Sequence, residues 1–109
     1  MAELEEERGA DVVIDTRVDQ SGATVVTLSG ELDSSNAAAL EAALEPITAT
    51  GVAQLIFDLS ALRFMDSAGI AVLLAAAAQV EAVHLRDPSP IVRRVIELTG
   101  LTDVLSIES

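Results

Sequence analysis

Two residue types that can do chemistry meet in the stretch FMDSAGIAVLL, residues 64–74, where Asp66 and Ser67 stand directly ahead of Ala68, Gly69 and a run without charge. A serine at a turn from strand to helix has three chemistries open to it: nucleophile, helix cap or phosphate acceptor. As a nucleophile it would sit on the sharp elbow that needs glycine two places before it, and that place holds Met65. It would also need a base, and the only histidine, His84, lies between Val83 and Leu85 with no acid evidently placed to orient it. One histidine, scattered acids and no cysteine give no metal-ligand spacing, and no glycine-rich phosphate loop is present. The residues point to no enzyme and to no cofactor.

The two remaining chemistries share one location. Ser and Asp are favoured at helix N-caps, where the side-chain oxygen accepts a bond from an unpaired backbone N–H, a contribution of about 1 kcal/mol. The same free N–H groups and the positive end of the helix dipole favour an added anion, so a phosphate on Ser67 is compatible with the fold. Local physics leaves both readings of Ser67 open.

The elements that must position Ser67 follow from periodicity. Residues 12–18 alternate with a period of two, a turn-forming Asp-Gln-Ser-Gly follows, and residues 23–29 repeat the β-rich pattern, which predicts a hairpin. After GELD, a helix capped by Ser34, Ser35 or Asn36 is expected, with Leu40, Leu44 and Ile47 on one side and its last turn disturbed by Pro46. Residues 54–59 are apolar at almost every position, as in a central strand covered by helices. A helix over about residues 67–80 and a short strand at 82–85 come next. Pro88-Ser89-Pro90 then places a cap serine and an N1 proline ahead of a helix that Gly100 ends. Residues 104–107 add an edge strand. Strands alternating with helices after a hairpin predict an α/β domain with a small mixed sheet flanked by helices, and no internal repeat is present.

Composition bounds the rest. The 109 residues suit one domain, with residues 1–10 (MAELEEERGA) as a mobile acidic tail and residues 11–109 as the folded unit. A net charge of −12, from 18 acids against six bases that are all Arg, argues against nucleic acid, because phosphate contacts need clustered Lys or Arg. The absence of cysteine suits a reducing compartment, and no stretch resembles a signal peptide or a bilayer span, so a cytoplasmic protein is expected. The helix after Ser67 is unusual in carrying no charge. Ile70, Leu73, Leu74 and Ala77 form one face for the core, while Ala68, Ala71, Val72, Ala75 and Ala76 occupy the remainder, either as a second buried side or as a smooth surface that receives a partner.

The order LSGELDSSNAAAL, LIFDLSALRFMDSAGIAVLL and DPSPIVRRVIELTGLTDVL resembles the STAS domain family, specifically its small anti-sigma factor antagonists, over nearly everything from Val12 onward. The resemblance implies that Ser67 is the residue phosphorylated by an anti-sigma factor that is also a serine kinase. It places Asp33 of GELD beside that serine, makes Asp66 and Gly69 part of the turn presenting it, and assigns Ala68, Ala71 and Val72 to the partner-binding surface. The unphosphorylated protein would hold the anti-sigma factor and free a sigma factor for transcription, the phosphorylated protein would let go, and a serine phosphatase would reset the switch. The chain departs from the family pattern in having Ala68 where many relatives have a second hydroxyl, a short segment between Ala78 and His84, and a C-terminal helix missing or truncated after Leu105. Two other functions fit parts of the sequence: a STAS subunit of a transporter or other assembly, which needs no phosphate, and a small serine hydrolase, which needs His84.

Overall fold

The computed structural model describes residues 12–100 and 105–108, so the acidic tail expected at residues 1–10 and the residues around Val104 lie outside it. Eight elements follow one another: β1 (Val12–Val18), β2 (Thr24–Leu32), α1 (Ala37–Ala49), β3 (Gln54–Met65), α2 (Ser67–Ala77), β4 (Ala82–Arg86), α3 (Pro90–Leu98) and β5 (Ser106–Glu108). The strands form one mixed sheet in the order β1-β2-β3-β4-β5, with β1 antiparallel to β2 and every later neighbour parallel. This is the α/β architecture that the alternation of periods predicts.

Each crossover places its helix on the same side of the sheet. Leu40 and Leu44 of α1, Ile70 and Leu73 of α2, and Val92 and Ile96 of α3 join one apolar cluster with Val26, Leu28, Leu55, Phe57, Val83 and Leu85 of the strands. Strand residues of the other parity, Val25 and Ile56, form a separate small cluster with Ala23. The helices therefore cover one face rather than both. Successive crossovers that all step the same way across the sheet, each right-handed, bring this about.

Local sequence accounts for most boundaries. In the hairpin, Asp19 Oδ1 accepts from the Ser21 N–H at 2.8 Å and from its hydroxyl at 2.6 Å, and Gly22 takes the positive φ of 90°. Ser89 caps α3 by accepting from the Val92 N–H at 3.3 Å, with Pro90 at the first helical position. Helix α1 continues through Pro46 to Ala49; Pro46 and Ala42, whose carbonyl loses its partner, both lie on the exposed side, where water can satisfy it. Among the described residues no helix is long and apolar enough to cross a membrane.

Candidate functional site

Parallel pairing of β2 with β3 ends at Leu32 opposite Met65, so the two chain segments that follow, beginning at Asp33 and Asp66, leave the sheet side by side. The Asp66 N–H donates to Leu32 O at 3.2 Å, which ties the second segment to the first. That bond holds Asp66 in an extended conformation, with φ −111° and ψ −169°, and from there its carboxylate turns onto the start of α2. Asp66 Oδ1 accepts from the Ala68 N–H at 2.9 Å and the Gly69 N–H at 3.3 Å. The helix cap is thus Asp66 and not Ser67. Ser67 is the first helical residue, exposed, and its hydroxyl is left for other work.

This arrangement changes the electrostatics expected at the serine. Two of the N–H groups that would have met an anion are occupied by the Asp66 carboxylate, which also brings its own negative charge to the positive end of the helix. A further anion on Ser67 would project outward beside that carboxylate.

The neighbouring segment is held by Asn36, only 3% exposed, whose Oδ1 accepts from the Asp33 N–H at 2.9 Å while its Nδ2 donates to Glu31 O at 2.8 Å. Asn36 stands at the N-cap of α1 but spends its amide on this loop and gives the helix no side-chain cap. Asp33 Oδ1 accepts from the Ser35 hydroxyl at 2.6 Å and the Ser35 N–H at 2.9 Å. The Ser35 hydroxyl first, and then its N–H, hold the Asp33 carboxyl below the usual aspartate range, so it stays charged at neutral pH. A lowered folded pKa contributes stability above the unfolded value and loses it as pH falls through the folded one, so this loop weakens only in acid.

Gly69 is where α2 touches the strands. A Cβ there would lie 2.7 Å from Met65 Cγ and 2.8 and 2.9 Å from Leu32 Cδ2 and Cγ, in two fully buried side chains. Gly69→Ala is therefore expected to destabilise the protein by about 1–3 kcal/mol through overpacking, although alanine is the better helix former. A melting temperature at or above that of the parent protein would show that the strand ends can yield.

Of the remaining residues assigned to the partner surface, Ala71 is exposed and Ala68 half-buried, but Val72 is 9% exposed and belongs to the core. The buried side of α2 comprises Gly69, Ile70, Val72, Leu73 and Ala76, with Leu74 only half-buried, so it is rotated from the face expected by spacing. The reason is α1, which packs beside α2 and leaves a groove lined by Ala38, Glu41, Thr48, Val72, Ala75 and Gln79. Exposed on α2 are Ser67, Ala71 and Ala75, continued by Ala78 at its C-cap, a stripe of small residues running from the serine along the helix.

His84 does have an acid that sequence reasoning missed. Glu108 Oε2 lies 3.1 Å from His84 Nδ1, outside hydrogen-bond alignment, because β5 pairs with β4 and sets Ser106 opposite His84. Nothing in the spacing of 24 residues could have revealed it. In register His84 stands opposite Ile56, nine positions before Met65 on β3, roughly 25 Å or more from the serine end of that strand. The geometry places no histidine at Ser67.

Comparison with known proteins agrees with this fold. The family model described as STAS domain matches residues 11–109. The chain is 34% identical over 94 residues to the anti-sigma-F factor antagonist RsfB of Mycobacterium tuberculosis, covering 84% of this chain and 77% of that protein. It is similar in structure to an anti-sigma factor antagonist from Mycobacterium paratuberculosis, with a TM-score of 0.82, 32% identity and coverage of 89% and 85% of the two chains. The anti-sigma factor antagonist SpoIIAA is similar in its unphosphorylated form, with a TM-score of 0.76, 26% identity and 89% of each chain covered. Its phosphorylated form, from Bacillus, gives a TM-score of 0.69, 25% identity and coverage of 89% and 92%.

Proposed function

The chain belongs to the STAS domain family, and on that premise we propose that it is an anti-sigma factor antagonist working by partner switching, with Ser67 as its phosphoacceptor. The observation that carries the proposal is the position of Ser67: exposed at the first turn of α2, relieved of capping by Asp66, and next to the Asp33 segment. A serine used only for structure would be expected to make the cap bond itself. The partner is an anti-sigma factor that is also a serine kinase, and a serine phosphatase resets the switch. That relatives are named anti-sigma factor antagonists, and that one of them has been solved both with and without phosphate, supports the reading.

In this mechanism the unphosphorylated protein docks the kinase through Ser67, Asp33, Asp66, the half-buried Ala68 and the exposed Ala71, while Gly69 is buried and seats the turn on the strands. Small side chains let a partner backbone approach closely at little entropic cost, since alanine loses no rotamer freedom. Val72 supports this surface from beneath. Transfer of the γ-phosphoryl of ATP to the Ser67 Oγ replaces its proton and adds about −1.5 to −2 charge at pH 7. Asp66 is the preceding residue and the segment beginning at Asp33 runs beside it, so the phosphate raises local negative charge within the contact, and desolvating it opposes rebinding.

Incubation of the protein with candidate kinase/anti-sigma factors and ATP, followed by mass spectrometric mapping, tests the proposal. The expected result is a single phosphate on Ser67. Phosphate elsewhere, or none with a partner that binds the protein, would leave the alternative of a STAS subunit that binds without being switched.

A further inference from the structure

The geometry points to a second surface, independent of Ser67: the free edge of β1 is built to pair with β1 of a second copy of this chain, joining two sheets across a two-fold axis at Thr16. Strand β1 has seven residues and is an outer strand of the sheet, with no neighbour on one side among the described residues. Among the described residues nothing covers it: Asp15, Thr16 and Arg17 are exposed, and Val18 is 68% exposed. An edge of this length presents a row of unpaired backbone groups to any strand that fits it.

The hairpin fixes which groups those are. The Asp19 N–H donates to Ala23 O at 3.0 Å, and antiparallel ladders alternate, so Val13, Asp15 and Arg17 direct their backbone groups to β2. Ile14, Thr16 and Val18 direct theirs outward. A second β1 running antiparallel with Thr16 opposite Thr16 therefore exchanges hydrogen bonds at Thr16 and at the two Ile14–Val18 pairs. Asp15 then falls opposite Arg17 of the other copy, twice, at the non-hydrogen-bonded positions where side chains come closest. Both charges project from the sheet face that carries no helix, and among the described residues neither has an ion-pair partner in its own protomer.

The charges also select this register. Sliding the second strand by two residues sets Asp15 against Asp15 in one direction and Arg17 against Arg17 in the other, and like charges directly opposite are unfavourable. Slipping by one residue turns the outward backbone groups away from each other. Charges on an edge ordinarily guard it against pairing; here they have opposite sign, two residues apart, which makes the edge complementary to itself and the contact isologous.

Analytical ultracentrifugation over a range of concentrations, with exchange of backbone amides followed in parallel, tests this. The expected result is a reversible dimer of twice the 11.3 kDa chain mass, with the Ile14, Thr16 and Val18 amides protected only in the dimer. Arg17→Asp and Asp15→Arg should each weaken dimerisation roughly tenfold to hundredfold, by replacing two opposite-charge pairs with two like-charge pairs. The double variant Asp15→Arg/Arg17→Asp should restore it, and at concentrations low enough for the parent protein to be monomeric all three should melt like it, because both positions are exposed. A monomer at every concentration overturns the proposal. So does a dimer indifferent to the single exchanges, or one that the double exchange fails to restore.

Discussion

Ser67→Ala is expected to melt within about 0.5 kcal/mol of the parent protein, as surface substitutions usually do, and yet to hold its anti-sigma partner in the presence of ATP when the parent protein is released. The first half follows from the cap: the bonds to the Ala68 and Gly69 N–H groups come from Asp66, so removing the serine hydroxyl costs the helix none of them. The second half follows from chemistry, because without Oγ there is nothing to phosphorylate. Ser67→Asp places a second carboxylate next to Asp66 at the exposed start of α2, and like charges brought together in an interface cost up to several kcal/mol. With one charge and a shorter reach than a phosphate, it should weaken partner binding by roughly tenfold to hundredfold. Calorimetric titration of both variants decides the matter. If Ser67→Asp binds as tightly as Ser67→Ala, charge at this position does not release the partner and the switch as proposed is wrong.

A one-residue contrast on α2 should separate core from contact surface. Val72→Asp buries a carboxylate against the α1–α2 core, where the residues lining the groove include no Lys or Arg among the described residues, and is expected to cost about 2–4 kcal/mol. For a domain of this size that lowers the melting temperature by ~10 °C or more. Ala71→Asp, one residue earlier and exposed, should leave the melting temperature near that of the parent protein while weakening binding of the anti-sigma factor. Thermal denaturation followed by circular dichroism reads the first effect and calorimetric titration the second. A stable Val72→Asp protein would mean that α2 can turn its Val72 side to water, and normal binding by Ala71→Asp would remove the small-residue stripe from the interface.

Features that depend on near neighbours in the chain could be read without the fold. The hairpin turn at Asp19 and Gly22, the Ser89-Pro90 start of α3, the apolar run of β3 and the alternation of strand and helix are set by local hydrogen bonding and by side-chain period, and they appear where those signals stand. Residue type alone marked Asp66 and Ser67 as capping candidates, while the assignment of Asp66 and Gly69 to the turn that presents the serine came from the family resemblance. Tertiary structure decided the rest. Which of two good capping residues caps α2 turned on the Asp66 N–H reaching Leu32 O, a bond between strands 34 positions apart that no local rule contains. Which side of α2 is core was undetermined because the helix is apolar all round, and a helix without a polar face takes its orientation from what packs on it; α1 took Val72 inward. The partner of His84 and the free edge of β1 likewise exist only through strand order. Composition can predict a strand, but whether its charges meet water, a neighbouring strand or a second molecule depends on what the sheet leaves beside it.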